Sequence, residues 1–121
     1  VWSPLAQGVL TGKYQPGQKP PSDSRAANSQ MNAFMGDITS DRVLSAVQNL
    51  KPIAQSLNIS MAQLALAWVL KDERVSSTII GASRPEQVAD NAAASNVKLN
   101  DDVLRKIDEV LAPALLHATA A

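Results

Sequence analysis

Only two short runs in this sequence have the character of strands, and that shortage constrains the fold more than any other feature. Val75, Thr78, Ile79 and Ile80 crowd into one run closed by Gly81, a β-branched segment of strand type. Val1–Leu5 reads as the other, with Pro4 confining it to an edge or a strand end. The remaining apolar residues fall at helical spacing. Val43, Leu44, Val47, Leu50, Ile53, Ala54 and Leu57 form one stripe, with Thr39 or Ser40 as N-cap and Pro52 expected to kink or divide it. Asn58 ends that stripe. Ser60 and Gln63 have capping-box spacing for the next helix, Met61–Leu70, which is apolar nearly all round and expected to be buried on more than one side. Trp68 within it reads as a core or interface residue. A further helix starts at Pro85 and turns Val88, Asn91 and Ala92 inward. Asn100 caps the last, where Asp101 and Asp102 complement the dipole and Val103, Leu104, Ile107, Val110 and Leu111 form the apolar face. Pro113 is expected to close it, leaving an alanine-rich tail over 113–121.

Alternation of strands with amphipathic helices argues for a parallel sheet in an α/β protein. Two strands cannot close such a sheet, and these helices carry more apolar face than two short strands could cover. The expectation is therefore part of a larger fold, with no internal repeat and no linker dividing the chain. Its order is a strand and loop over 1–14, a long loop over 15–38, helices over 39–70, a strand, turn and helix over 75–95, and a last helix over 100–112.

Composition narrows the function classes. Apolar residues make up 45% of the chain, and eleven Lys and Arg balance eleven Asp and Glu. That even, scattered charge, with Trp2, Tyr14 and Trp68 the only aromatics besides Phe34, argues against a nucleic-acid surface. Without cysteine there is neither a disulfide framework nor a thiolate metal site. No apolar run approaches the ~20 residues of a membrane span, and nothing at Val1 reads as a signal segment. The expected location is the cytoplasm, with no membrane partner.

Chemistry concentrates in two stretches. In Val75–Asn91 a strand ends at Gly81 and opens into a helix with Pro85 at its first position and Ser83 or Arg84 as N-cap. Free N–H groups and the positive end of a helix dipole favour an anion there, typically a phosphate, and Arg84 adds a charged donor fork. The plain alternative is an ordinary turn with a surface arginine. The other stretch, Gly8-Val-Leu-Thr-Gly12-Lys13-Tyr14, is not a nucleotide-hydrolase phosphate loop. It has one residue too few before Gly12-Lys13, and Tyr14 stands where a Ser or Thr must hold magnesium. No Gly-x-Gly-x-x-Gly occurs. Between the two stretches, the excursion from Gln15 to Asp37 is of a length that is usually functional or mobile, and Arg25 is its candidate ligand residue.

Trp2-Ser-Pro-Leu-Ala-Gln-Gly8-Val-Leu-Thr-Gly-Lys13-Tyr14 resembles the seventh-strand segment of the aldo-keto reductases, and Ile80-Gly-Ala-Ser-Arg-Pro-Glu-Gln-Val-Ala-Asp-Asn91 resembles their eighth-strand cofactor segment. The helix containing Ala62-Gln-Leu-Ala-Leu-Ala-Trp68-Val-Leu is similar too, and the resemblance runs from Val1 to about Leu111. It is greatest to the branch with bacterial reductases and potassium-channel β subunits. The resemblance implies the last two βα units and C-terminal helix of a (β/α)8 barrel, with ligands at the C-terminal ends of the strands. It implies NADP(H) as cofactor and a small carbonyl compound as substrate. Trp2 would lie beneath the nicotinamide. Ser3, Leu5, Gly8, Thr11 and Lys13 would wrap the pyrophosphate, with Arg25 as a clasp. Gly81 and Ser83 would approach the adenosine half and Arg84 the 2′-phosphate. Gln87, Asp90 and Asn91 would hold the adenine end. Asp90 stands where many relatives have glutamate, and no tyrosine precedes Arg25.

The family's catalytic tyrosine, lysine, aspartate and histidine come from earlier strands. Tyr14 and His117 are the only Tyr and His here, and neither matches those motifs. Tyr14 reads as packing and His117 as part of the tail, so no catalytic residue and no metal ligand is assigned. Three roles follow: the C-terminal cofactor-binding segment of a carbonyl-reducing oxidoreductase, a non-catalytic NADP(H)-sensing regulatory subunit, or a truncated piece without activity that persists as a homo-oligomer.

Overall fold

In a computed structural model the chain is described over residues 1–33 and 35–115. Five α-helices form the body: α1 (Asp41–Gln48), α2 (Lys51–Ser56), α3 (Met61–Leu70), α4 (Pro85–Ala93) and α5 (Asp101–Leu115). Short 3-10 turns join them, the longest over Ala6–Thr11.

Local chemistry explains most helix boundaries. Ser40, in extended backbone, caps α1 by accepting from the Val43 N–H. The stripe that follows is divided as Pro52 requires, with α1 ending at Gln48 and α2 opening at Lys51 with the proline in its first turn. Asn58, at φ 54, turns the chain out of α2 in the left-handed conformation that asparagine tolerates. The capping box at α3 is complete: the Gln63 N–H donates to Ser60 Oγ at 3.1 Å and the Ser60 N–H to Gln63 Oε1 at 3.0 Å. Asn100 Oδ1 accepts from the Val103 N–H at 2.9 Å to start α5.

Pro113 does not close α5, which continues to Leu115. A proline in the last turn forfeits only its own bond to the carbonyl four residues back. Its carbonyl also accepts from Arg42 Nη1 of α1 at 3.3 Å, which ties the helix end to the body. His117 lies outside the described residues.

Two apolar clusters hold these elements together. Leu50, Ile53, Ala54, Leu64, Val103 and Ile107 bring α2, α3 and α5 together. Val9, Tyr14, Met35, Leu44 and Val47 seat the N-terminal turn and the long loop against α1. Leu10 and Met61 touch both clusters and join them.

The two strand expectations are corrected. Among the described residues there is no strand, only an isolated parallel bridge between Trp2 and Ile79, with the Ile79 N–H donating to the Val1 carbonyl at 2.7 Å. Parallel strands are stable when neighbours flank both edges and cover both faces. Here Trp2 is 77% and Ile79 67% exposed, and Ser3 turns the chain away at φ 52 directly after the bridge. The α4 face differs from expectation for the same reason. Val88 and Ala92 do not turn into a core. They line an open groove of about 570 Å³, with Leu66 and Leu70 of α3 and with Thr78 and Ile80, and Asn91 is buried at its wall. Trp68 is partly exposed, with the Lys71 ammonium 3.8 Å from its ring centroid.

No single helix among the described residues is long and apolar enough to cross a membrane.

Candidate functional site

Because the Trp2–Ile79 pairing is parallel, the segments following both residues leave it at the same end. These segments are the two stretches singled out from the sequence.

The first is an unusual backbone turn. Ser3, Ala6 and Gln7 have φ of 52, 47 and 59, and Gly8 and Gly12 have φ of 94 and 77. Such a density of left-handed residues, three of them not glycine, costs of order 1 kcal/mol each and is typical of functional sites. The surroundings offset it. The Ala6 and Gly8 N–H groups donate to the Ser3 and Leu5 carbonyls at 3.0 Å, and Thr11 Oγ1 donates to the Gly8 carbonyl at 2.7 Å. Half-buried Leu5 leads into the turn, and Val9 is sealed beneath it. Gln48 of α1 reaches across to hold its end, with Nε2 donating to the Gly12 and Tyr14 carbonyls at 3.0 and 2.8 Å.

Gly8 is favoured by its backbone, at φ 94. A Cβ there would meet Lys13 Cε at 3.0 Å and Nζ at 3.1 Å, besides the positive φ. The Lys13 side chain therefore lies across the turn, with its ammonium 5.3 Å from the Tyr14 ring centroid. The long loop returns to the same place. Its 3-10 turn Arg25–Ala27 is anchored by the Ala26 N–H donating to the Tyr14 hydroxyl at 3.3 Å. Arg25 Nη1 donates to Gln7 Oε1, and Gln7 Nε2 donates to Ser3 Oγ at 3.3 Å. Ser3, Gln7 and Arg25 thus form one chain of hydrogen bonds beside Gly8 and Lys13. Tyr14, 3% exposed, packs in the core beneath.

The second segment runs from Gly81 into α4. Gly81, Ser83 and Arg84 are exposed. Arg84 is the N-cap residue in extended backbone, but arginine has no acceptor with which to cap. Gln87 does that work: its Oε1 accepts from the Ser83 and Arg84 N–H groups at 2.8 and 3.3 Å. The Arg84 guanidinium is left facing solvent at the positive end of α4.

The residues expected at the adenine end separate. Asp90 turns away, toward the start of α3, where its carboxylate accepts from Ser60 Oγ at 3.0 Å and from Gln63 Nε2 at 3.1 Å. Asn91, 8% exposed, faces the groove instead. Trp2 stands exposed beside Ile79.

Perturbed ionisations lie away from both turns. Between α3 and Val75, the Arg74 side chain and backbone N–H, helped by the charge of Lys71, hold the Asp72 carboxyl down at about 2. Arg74 is raised in turn by Asp72. On α5, hydrogen bonds from Lys106 and Arg105 lower Asp102, and Arg105 is raised by Asp102 and Glu109.

Lys13 and Arg25 at the strained first turn, and Arg84 at the N-terminus of α4, are donors of the kind that phosphate groups take. No group of three or more metal-ligating side chains occurs among the described residues. Gln7 and Gln48 carry much of this geometry, and neither stands out in the sequence as a site residue. A glutamine beside a glycine turn or on the polar side of a helix has no motif, and its partners lie up to 36 residues away.

The sequence profile of the Aldo/keto reductase family matches residues 1–112. A probable voltage-gated potassium channel subunit beta from Arabidopsis thaliana is 46% identical over 113 residues, covering 92% of this chain and 34% of that protein. A putative subunit of the same name from Schizosaccharomyces pombe is 41% identical over 116 residues, with 92% and 33% covered. L-glyceraldehyde 3-phosphate reductase from Escherichia coli K12 is 38% identical over 118 residues, with 97% and 34% covered. The chain spans about a third of the length of these curated relatives. The family implies a (β/α)8 barrel. On these matches, the chain belongs to the aldo-keto reductase family.

Proposed function

We propose that this chain is the C-terminal part of a (β/α)8 barrel that reduces small aldehydes or ketones to alcohols with NADPH, and that it supplies much of the cofactor site. The observation that carries this reading is the parallel Trp2–Ile79 bridge, which sends the Ser3–Lys13 turn and the Gly81–Asn91 segment out at one end. Ligands of such barrels bind at that end of the strands. The exposed bridge, and the groove between α3 and α4, are then surfaces against which the other strands pack.

The donor set fits a dinucleotide with several phosphates. Lys13, lying over Gly8, and Arg25, held at Gln7, stand where a pyrophosphate would lie against Ser3, Leu5, Gly8 and Thr11. Arg84 is free to meet a 2′-phosphate, with Gly81 and Ser83 at the adenosine and Gln87 toward the adenine. Trp2 offers its ring to the nicotinamide. The cofactor supplies the hydride; these residues hold and orient it. The proton donor belongs to the remainder of the barrel, since the Tyr14 hydroxyl is buried and accepts from Ala26. A phosphorylated aldehyde is one candidate substrate, by the name of the bacterial relative.

Fluorescence titration of the full-length barrel with NADPH, followed by absorbance at the nicotinamide band after adding a small aldehyde, tests the proposal. Saturable binding with NADPH consumption is expected. Binding without turnover of any aldehyde or ketone favours a nucleotide-sensing regulatory subunit, a reading supported by the similarity to channel β subunits. Failure to bind NADPH refutes both.

A further inference from the structure

Gln48 is half-buried on α1, and every group its side chain binds lies 33 to 36 residues away along the chain. Its Nε2 donates to the Gly12 carbonyl at 3.0 Å and to the Tyr14 carbonyl at 2.8 Å. Its Oε1 accepts from Gln15 Nε2 at 3.2 Å, so both ends of the amide are engaged. Those two carbonyls belong to the residues on either side of Lys13. One side-chain amide therefore grips the backbone before and after that lysine, while the exposed Lys13 side chain lies back over Gly8. The grip has a firm base. Leu44 and Val47 on the same helix are buried in the cluster that also holds Val9 and Tyr14.

We propose that Gln48 is a positioning residue that fixes the Lys13 backbone, so that the ammonium is presented to the cofactor pyrophosphate before the cofactor arrives. The role rests on the cofactor reading above and extends it to a side chain on α1 that acts through Lys13. Lys13 is an exposed, rotamer-rich residue that follows a glycine at φ 77. Ordering such a segment is a cost that binding must otherwise meet. Holding the two flanking carbonyls in the free protein removes the backbone part of that cost. The pyrophosphate is common to NADPH and NADH, whereas the 2′-phosphate is not. Losing the grip therefore weakens both nucleotides alike.

The test measures NADPH and NADH dissociation constants by fluorescence titration of the full-length barrel. The proteins compared are wild type, Gln48→Met, Gln48→Lys, Lys13→Ala and the double variant Lys13→Ala with Gln48→Met. Methionine keeps the length and helix propensity of glutamine but cannot donate. Gln48→Met is expected to raise both dissociation constants by about fivefold, the scale of one or two lost hydrogen bonds, with the NADPH over NADH preference unchanged. In the Lys13→Ala background the same substitution should change them by less than about twofold, because the group it positions is already gone. Gln48→Lys supplies an ammonium that can donate to both carbonyls, and should keep both affinities within about twofold of wild type. A Gln48→Met loss of equal size with and without Lys13 means that Gln48 acts on the fold as a whole, and it overturns the proposal. So does a loss confined to NADPH, a loss as large in Gln48→Lys as in Gln48→Met, or no loss in Gln48→Met when wild type binds. A wild-type barrel that binds neither nucleotide overturns the cofactor reading and takes the positioning role with it.

Discussion

Gly8→Ala isolates the strain built into the first turn, with Gly81→Ala as its control. At φ 94, Gly8 occupies backbone space that an L-residue enters at a cost of roughly 1–2 kcal/mol. The new methyl also meets Lys13 Cε at 3.0 Å, but that atom is near the end of a flexible side chain and can swing away. The backbone term therefore dominates, and the expected loss of stability is about 1–2 kcal/mol. Gly81 has no positive φ and nothing within 4 Å of an added Cβ. Alanine there is expected to be neutral, or stabilising by up to about 1 kcal/mol through a less disordered unfolded state. Urea denaturation followed by far-ultraviolet circular dichroism reads both. With slopes of about 1–3 kcal/mol per molar, Gly8→Ala should lower the midpoint by roughly 0.5–1 M and Gly81→Ala should not. The two glycines share a type and an expected cofactor role, so only their backbone geometry separates them. A Gly8→Ala midpoint equal to wild type, or equal losses at both glycines, would refute the reasoning.

Other outcomes can be checked the same way. Arg84→Ala in the full-length barrel should weaken NADPH far more than NADH in equilibrium titrations, because only NADPH carries the 2′-phosphate; equal losses would remove Arg84 from that role. Ile107→Ala empties a 2%-exposed position where α5 meets α2 and α3, and should cost about 2–5 kcal/mol in denaturant unfolding. Asp72 and Asp102 are lowered in the folded chain, so their contribution is present above the ordinary carboxylate range and is lost as pH falls through it, for Asp72 down to about 2. Acid titration of the melting temperature should show that loss, and Asp72→Asn should flatten it; an unchanged acid slope in the variant would rule out the Arg74 pairing as its source.

Which parts of this protein are legible in its sequence follows the reach of the interactions. Ser40, Ser60 with Gln63, Pro85 and Asn100 act within three or four residues, so the helix starts they predict are found in the structure. Pro52 divides its stripe for the same local reason. Pro113 does not end its helix, because its effect depends on what holds the helix end, which is Arg42 from α1. Val88 and Ala92 keep helical spacing, yet periodicity identifies only which residues share a face. It does not say whether anything covers that face.

Fold family was written in the residues themselves, as ordered motifs within the 1–112 stretch that the family profile matches. Tertiary structure alone decided the rest. Strand character at Trp2 and Ile79 became a single bridge because a parallel strand needs neighbours that no local propensity can supply. Gln7 and Gln48 acquired roles only once the long loop and α1 folded back onto the first turn. Asp90 and Asn91 adjoin in sequence, but successive helical residues point about 100° apart. One therefore fastens α4 to α3 and the other faces the groove.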